Sequence, residues 1–272
     1  MTLKVLTLNI WNEDGPWPER SKRIREWIDR LDPDLVGLQE VLRGPRLDQL
    51  EELLEGRSYH SVWARATDFW GDATLGFGNA VASRWPIAEH AELELPSGDD
   101  GERRVVIRAR VEAPFGPLVF ASTHLNFRFH HGSVRERQVV AACDFVWQAR
   151  PRGGFPPMLM GDFNAEPESA EIRYVSGLQS LEGRSMYLRD AWTHAGDGGA
   201  GITWSNANPY TRPWLEPDRR IDYIFVGPPQ RDGIGLIEHC QVVCDDAHDG
   251  VWPSDHFGIL AEVRTAPRPD LD

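Results

Sequence analysis

The chain of 272 residues lacks the features that mark a membrane or a secreted protein. No apolar run reaches 18 residues, and no early segment has the charged, apolar and small-residue zones of a signal peptide. The three cysteines do not form a disulfide framework. Cys240 and Cys244, if they share a strand, lie about 13 Å apart, too far to bind one zinc ion. We therefore expect buried cysteines and a soluble, cytoplasmic protein without an integral membrane segment.

The chain is also short of positive charge. It has 29 Lys and Arg residues against 42 Asp and Glu residues, a net charge of −13. Such a field repels the phosphate backbone of nucleic acids at long range, which weighs against non-specific nucleic-acid binding. A basic cleft or a bound divalent cation could reverse the sign locally, so a nucleotide substrate stays open. No internal repeat or low-complexity segment occurs, and no obligate protein partner is evident.

What the sequence does contain is a regular succession of strand and helix patterns. Apolar runs typical of buried strands occur at 4–10 and 35–41, and apolar residues at helical spacing occur at 18–31 and 133–149. A turn cluster at 66–73 interrupts the strand-like patterns of the first half. We predict an α/β fold in which two mixed or antiparallel β-sheets pack face to face between helices, as a single domain over residues 1–272.

The stretch over residues 158–167 combines an apolar run with polar side chains. The run breaks at Gly161, and Asp162 and Asn164 follow. If extended geometry persists, these two side chains share a face and can point at one water, metal ion or phosphoryl oxygen. The alternative is an Asx-turn, in which both side chains bind their own backbone.

Polar side chains at strand ends recur along the chain. Each has an ordinary explanation, since a strand-end glutamate can reach solvent and a lone histidine is often structural. Repetition of the same accident is improbable, however, and side chains at sheet ends converge on a cleft. The residues concerned are Asn9, Glu40, His124, Asp162, Asn164, Asp222, Asp255 and His256.

This set is rich in oxygen ligands and has no thiolate, which favours Mg²⁺ or Mn²⁺ over structural zinc. Glu40 is the best single ligand candidate, because a buried glutamate has to be paired or metal-bound. Asn9 and Asp255 are the neutral and charged supplements. A partly hydrated Mg²⁺ held by one or two carboxylates is the arrangement that proteins use on phosphate substrates.

The remaining polar residues suit hydrolysis of a phosphoester. His256 backed by Asp222 is an oriented imidazole that can exchange a proton or hold a phosphoryl oxygen. Asp162 could orient or deprotonate the attacking water, and Asn164 could hold that water or an equatorial oxygen without adding repulsive charge. No serine or cysteine nucleophile with a paired base is apparent.

Taken together, the motifs resemble those of the Mg²⁺-dependent endonuclease/exonuclease/phosphatase superfamily, which has the deoxyribonuclease I-like fold. They follow the order of that family over residues 7 to 256. The matching motifs are Thr7-Leu8-Asn9-Ile10, Leu38-Gln39-Glu40-Val41, Ser122-Thr123-His124-Leu125, Gly161-Asp162-Phe163-Asn164, Arg220-Ile221-Asp222-Tyr223-Ile224 and Ser254-Asp255-His256.

The resemblance implies a four-layered α/β sandwich and a Mg²⁺-dependent phosphoric ester hydrolase. It implies that Glu40 and Asn9 bind the metal and that Asp255 is a ligand or lies beside one. Whether Asp162 or His256 activates the water is left open by the family. The residues that the resemblance places around the scissile phosphate are His124, Asp162, Asn164 and His256, with Asp222 orienting the last.

Two arginines and several aromatic residues are further candidates for substrate contact. Arg135 resembles an arginine at the start of a family helix, although a structural salt bridge is the alternative. Arg128 lies in the loop after His124. Aromatic loop residues such as Trp70 and Phe129 could stack on a base or seat a lipid or sugar, or could simply pack the loops.

Substrate identity is not fixed by these residues. The abasic-site endonucleases have tyrosine at the His124 position, so the chain departs from that branch. The leading hypothesis is a phosphodiesterase or phosphatase acting on a small phosphoester or a lipid head group. The alternatives are a metal-dependent nuclease acting on DNA or RNA, and a catalytically silent module that binds phosphoesters.

Overall fold

A computed structural model describes residues 2–99 and 101–269 as two β-sheets with helices on their outer faces. No helix in these ranges is long and apolar enough to cross a membrane. The prediction of a single domain over 1–272 also covers residues 1, 100 and 270–272, which lie outside the described residues. In chain order the elements are β1 (Thr2–Asn9), α1 (Trp17–Leu31), β2 (Leu35–Gly44), β3 (Leu47–Asp48), α2 (Gln49–Leu54), β4 (His60–Phe69), β5 (Asp72–Ser83), β6 (Ile87–Glu94), β7 (Val105–Ala113), β8 (Gly116–His124), α3 (Gly132–Ala149), β9 (Met158–Asp162), α4 (Ala170–Val175), β10 (Arg189–Asp190), α5 (Ala191–Ala195), a 3₁₀ turn (Arg212–Trp214), β11 (Asp222–Val226), β12 (Ile237–Val243) and β13 (Gly258–Arg264).

Each sheet has one parallel pair of strands at its centre. The first sheet has the order β12-β13-β1-β2-β5-β4, with β3 paired to β2, and the second has the order β10-β11-β9-β8-β7-β6. Strands β1 and β2 are parallel, as are β8 and β9, whereas the flanking pairs are antiparallel. The carboxyl ends of parallel neighbours meet at one edge, so both sheets deliver side chains to such an edge.

The packing confirms the predicted four-layered α/β sandwich. The cluster between the sheets contains Val5 from β1 and Phe120 from β8. A second cluster joins the outer face of the first sheet to α1 and α2, and a third joins the outer face of the second sheet to α3 and α4. Because both faces of the central strands are buried, their sequences read as continuous apolar runs.

The structure corrects two local predictions. The turn predicted at 66–73 is narrower, because β4 continues to Phe69 and β5 begins at Asp72, so the two strands form a long hairpin. The expected strand geometry of the cysteines fails at the end of β12, where Cys244 has φ +58°. Cys240 packs between the sheets and Cys244 packs on the outer face, so both thiols are buried in different clusters.

Candidate active site

Three of the predicted residues lie side by side on adjacent strands of the second sheet. In the pairing of β8, β9 and β11, Asp162 is opposite His124 on one side and opposite Asp222 on the other. All three side chains are buried. The Nε2 atom of His124 is 3.4 Å from Oδ2 of Asp162. The register of the sheet therefore fixes a row of two carboxylates and an imidazole with Asp162 at its centre.

Gly161 and Asn164 give Asp162 its setting. Gly161 has φ +138°, and a Cβ atom there would lie 1.9 Å from the carbonyl oxygen of Thr123, so only glycine fits. Asn164 has φ +49°, so the extended geometry assumed from the sequence ends at Asp162. The Asx alternative is present, since the backbone N–H of Asn164 donates to Oδ1 of Asp162 at 2.8 Å. The side-chain amide of Asn164 donates to the carbonyl of Leu125 at 3.1 Å. Because the Asn164 backbone N–H binds Oδ1 of Asp162, the other oxygen, Oδ2, faces the site.

The first sheet contributes Asn9 and Glu40 from its parallel pair. The strand β2 bulges between Leu38 and Val41, and Glu40 has φ +60°, a strained conformation for a side chain of this kind. Its carboxylate accepts hydrogen bonds from the amides of Asn9 at 3.3 Å and Asn12 at 3.0 Å. The Asn9 amide also donates to Asp162 Oδ2 at 3.0 Å. The Asn9 amide thus links the two sheets at the candidate site.

His256 completes the cluster from the segment before β13. Its Nδ1 atom is 2.9 Å from Oδ2 of Asp222, and its Nε2 atom is 3.7 Å from Oδ2 of Asp162. The indole of Trp204 packs edge-on against the imidazole at 5.0 Å. The hydroxyl of Thr203 accepts the backbone N–H of Asp222 at 3.2 Å. The imidazole is therefore fixed between two carboxylates, as the pairing of His256 with Asp222 predicts.

Burial and neighbouring charge move the pKa values of this cluster in different directions. Burial, with repulsion from Asp222, raises the pKa of Asp162 to about 6. Burial alone would lower the pKa of His256, but Asp222 and Asp162 outweigh it and raise that pKa to about 10. Burial and the charges of Arg104 and His256 hold the pKa of His124 well below its usual value. Near pH 7 the cluster therefore contains an ionised Asp162, a charged His256 and a neutral His124.

The acidic groups fit a hard divalent cation. Burial, and after it repulsion from Glu40, raises the pKa of Asp255 to about 7, so a cation beside these two carboxylates would relieve their repulsion. A second grouping, Asp162, Asp222 and His256, has ligand atoms within 4.8 Å of one another, but its histidine is already bound to Asp222. The thiols lie elsewhere in the core. Oxygen donors without thiolates suit Mg²⁺ or Mn²⁺.

Asn9 does not present its amide oxygen to this acidic group. Its Oδ1 atom accepts the backbone N–H of Trp11 at 3.0 Å, while its Nδ2 atom bridges Glu40 and Asp162. In this arrangement Asn9 links two carboxylates. The role of Asn9 as a metal ligand stays a prediction, and for that role the side-chain amide has to rotate so that its oxygen faces the carboxylates.

A buried arginine, Arg20, holds the loop that follows β1. Its guanidinium makes five hydrogen bonds of 2.7–3.0 Å, and every acceptor is a backbone carbonyl. Burial lowers its pKa to about 10. The carbonyls belong to Ile10, Trp11, Asn12, Asp14 and Pro253.

The structure contradicts the substrate contact predicted for Arg135. This side chain is only 6% exposed, and its Nε atom is 2.8 Å from a carboxylate oxygen of Glu171. Its other donors reach the carbonyls of Asn126, Arg128 and Phe129. The salt-bridge alternative is therefore correct, although the bridge is to a buried glutamate rather than to a surface carboxylate. Arg135 shapes the loop between β8 and α3.

Arg128, the second predicted arginine, is exposed on that loop, with its guanidinium 5.2 Å from the ring of Phe127. Its contact with substrate stays a prediction. A third arginine was not foreseen: Arg104 is buried at the start of β7, pairs with Glu102, and lowers the pKa of His124. Its Nη1 atom is buried and has no hydrogen-bond partner.

Two further residues of the site were missed from the sequence. Asn12 lies in a stretch that predicts only a turn, although an amide three residues beyond Asn9 was a signal for a second donor. Arg20 lies four residues before Ile24 on the buried stripe of α1, where a charged residue needs partners. Arg104 gave no such signal, because its position depends on how β7 approaches β8.

Comparison with known proteins shows the family of the chain. The sequence profile of the Endonuclease/Exonuclease/phosphatase family matches residues 6–256. Carbon catabolite repressor protein 4 homolog 3 of Arabidopsis thaliana is 26% identical over 164 residues, which cover 59% of this chain and 36% of that protein. Nocturnin of Drosophila melanogaster is 25% identical over 283 residues, which cover 92% of this chain and 42% of that protein. The chain thus spans less than half the length of these two relatives.

A solved structure extends the likeness to the whole fold. The endonuclease/exonuclease/phosphatase from Beutenbergia cavernae DSM 12333 is 27% identical and has a TM-score of 0.75. The match covers 97% of this chain and 71% of that one.

Proposed function

Because this chain belongs to the endonuclease/exonuclease/phosphatase family, we propose that it hydrolyses phosphoester bonds with a divalent cation and an activated water. Members of the family are generally phosphoester hydrolases. The observation that carries the proposal is the convergence of His124, Asp162 and His256 within 3.7 Å contacts, beside the acidic pair Glu40 and Asp255.

Glu40 and Asp255 would hold Mg²⁺ or Mn²⁺, with Asn9 as a third ligand once its amide oxygen faces the ion. The bound cation would supply positive charge to the phosphoryl oxygens and to the leaving oxygen. Asn12 donates to Glu40 and fixes the direction of that carboxylate. Because Asn12 is itself held through Arg20, the direction of the Glu40 carboxylate is set before any ion binds.

The buried cluster supplies the proton transfers. Asp162, with a pKa of about 6, is ionised at neutral pH and accepts a proton from the attacking water. His256 is charged, so it donates its Nε2 hydrogen to a phosphoryl oxygen and stabilises charge that develops there. His124 stays neutral, with its Nε2 atom 3.4 Å from Oδ2 of Asp162. Asp222 holds His256 in place, and Asn164 keeps Asp162 pointed at the site. In this assignment Asp162 is the base.

The experiment compares cleavage of phosphate esters in Mg²⁺, Mn²⁺ or EDTA for the wild type, Glu40→Ala and His256→Ala. The substrates are p-nitrophenyl phosphate, bis-p-nitrophenyl phosphate, oligonucleotides, plasmid, sphingomyelin and inositol phosphates. His90→Ala, at an exposed histidine on β6, is the matched control.

We expect turnover that needs the metal, falls at least a hundredfold in both site variants and is unchanged in His90→Ala. Cleavage that persists in EDTA would contradict the metal role. Ligand binding by the folded, metal-loaded protein without turnover of any substrate would favour the silent phosphoester-binding module. The cytoplasmic location and the substrate class stay predictions.

A further inference from the structure

Two exposed aromatic rings are linked to the candidate active site through contacts between side chains. Trp70 leads to His124 and Phe129 leads to His256. An exposed apolar rim of this kind marks a binding surface. The large apolar side chains exposed among residues 2–99 and 101–269 are Trp70, Phe127, Phe129, Leu178, Tyr187, Trp214 and Leu215.

One row of rings leads from the solvent to His124. Trp70, which is 70% exposed, lies at the tip of the hairpin between β4 and β5. Its ring centroid is 4.6 Å from that of Phe69 and 5.3 Å from that of Phe77. Phe77 is in turn 6.4 Å from the imidazole of His124, so Trp70 lies within about 12 Å of that imidazole. Two buried rings fix the indole and leave most of it free to stack.

A second row leads from the solvent to His256. Phe129, which is 57% exposed, has the guanidinium of Arg219 at 4.5 Å from its ring. The same guanidinium lies 5.9 Å from Trp204, and Trp204 packs against His256 at 5.0 Å. Arg219 also lines a cavity of about 480 Å³, which has room for a ring-bearing group.

The two rows begin on opposite sides of Asp162. His124 is its neighbour on β8, whereas His256 is bound to Asp222, its neighbour on β11. A phosphate centred on Asp162 would therefore have one ring row on each side. A monoester has an esterified group on one side of the phosphorus only, and a phosphocholine head group has no planar aromatic ring. A phosphodiester linking two nucleosides carries a planar base on both.

We propose that the substrate is single-stranded nucleic acid, an inference that rests on the proposed function. Trp70 and Phe129 are stacking platforms for the bases on the two sides of the scissile phosphate. Stacking is tolerant of sequence, because every base has a flat π-face. It also works without a basic surface, which suits a net charge of −13. A duplex keeps its bases paired inside the helix, so it does not offer them to these rings.

The first test compares substrates that differ in the rings beside the phosphate. Wild-type protein with Mg²⁺ is assayed on bis-p-nitrophenyl phosphate and on methyl p-nitrophenyl phosphate, and on one oligonucleotide as a single strand and as a blunt duplex. We expect kcat/KM to be about tenfold or more higher for the two-ringed ester and for the single strand. Equal values within both pairs would overturn the proposal.

The second test replaces the platforms. We expect Trp70→Ala and Phe129→Ala each to lower kcat/KM on the single strand by roughly tenfold, chiefly through KM. Cleavage of methyl p-nitrophenyl phosphate should fall less, because that ester offers only one ring to the two platforms. Trp70→Phe keeps a ring and should retain most of the activity, whereas Trp70→Leu, apolar but not planar, should behave like the alanine variant. Trp147→Ala is the control, because Arg150 stacks on that ring at 4.1 Å near the far end of α3, about 22 Å along the helix.

The outcomes separate this inference from the proposed function. Metal-dependent cleavage that both alanine variants retain would overturn the stacking platforms and leave the hydrolase intact. If Trp70→Leu matches Trp70→Phe, and sphingomyelin vesicles are cleaved faster than the single strand, the rim binds lipid and the inference is wrong. Absence of metal-dependent turnover on every substrate would contradict the proposed function itself.

Discussion

Arg20 and Arg135 are both buried arginines that bind the backbone carbonyls of a loop beside the candidate active site. They differ in whether a carboxylate neutralises the charge of the guanidinium. Arg135 has a carboxylate partner, Glu171, at 2.8 Å. All five hydrogen bonds of Arg20 end on neutral carbonyls. The loop between β8 and α3 is thus held by a locally neutral pair, whereas the loop after β1 is held by a net positive charge.

The difference matters because of what each loop adjoins. Arg20 lies close enough to Asp255 and Glu40 that these carboxylates raise its pKa, although burial lowers it more. Its own charge in turn lowers the pKa of Asp255. Arg20 therefore both shapes the proposed metal site and partly neutralises it. Arg135 shapes the aromatic loop that carries Phe129 without adding net charge.

Removing Arg20 should have the largest effect on stability. Arg20→Ala leaves five carbonyls without their donor in a buried position, and we expect the free energy of unfolding to fall by about 4 kcal/mol. Arg20→Lys keeps the charge with fewer donors and should lose about half as much. Urea denaturation of the two variants measures both values. A loss below about 1 kcal/mol in Arg20→Ala would mean that the loop after β1 does not depend on this side chain.

Breaking the Arg135–Glu171 pair should lower the free energy of unfolding somewhat less than removing Arg20, and the effects of the two partners should not be additive. We expect Arg135→Met to lower the free energy of unfolding by about 3 kcal/mol, because it leaves Glu171 buried without a partner. In the double variant Arg135→Met/Glu171→Leu the loss should be smaller than the sum of the single losses by at least about 1 kcal/mol. Additive losses would show that the two side chains act independently.

Sequence patterns predicted the strand-end residues well because those positions are local. An apolar run that stops at a polar residue identifies Asp162 and His124, and Asp222 stands out as a carboxylate flanked by apolar residues, whatever the rest of the chain does. The register of β8, β9 and β11 then brings them together. Asn164 was placed less well, because its left-handed backbone depends on the turn after Gly161 rather than on strand periodicity.

The supporting residues were harder to predict because their partners are distant in the chain. The carbonyl of Pro253 that Arg20 binds is 233 residues away, and Glu171 is 36 residues from Arg135. Sequence spacing carries no information about such pairs. A buried charge on an amphipathic helix does, however, predict that some partner exists. That rule would have separated Arg20 and Arg135 from the exposed arginines of the chain.

Metal binding should affect the two loops unequally. With Mg²⁺ at about 100 times its Kd, the native state gains about 2.7 kcal/mol, and local opening at the ligands is suppressed by up to the same amount. We expect slower hydrogen exchange at backbone amides of residues 9–12 and 254–256, and no change at 126–129. Glu40→Ala should abolish the difference. Equal protection of both loops would mean that the ion binds nearer the aromatic loop.

The smallest expected effect is the pH dependence of the metal-free protein. The pKa values of Asp162 and Asp255 are raised to about 6 and 7 in the folded state, against about 3.9 in the unfolded chain. Their contribution to stability is therefore complete below about pH 4 and is lost as the pH rises through 6 and 7. His256, whose pKa is raised to about 10, acts in the same direction between about pH 6.5 and 10.

In EDTA the free energy of unfolding should thus fall between pH 5.5 and pH 8, and added Mg²⁺ should raise Tm more at pH 8 than at pH 5.5. Asp255→Asn removes one of the titrating groups and should flatten the fall, whereas the exposed control His90→Ala should not. Thermal unfolding at the two pH values, with and without Mg²⁺, measures these differences. If Mg²⁺ raised Tm more at pH 5.5, Glu40 and Asp255, the carboxylates near Arg20, would not be the groups that bind the ion.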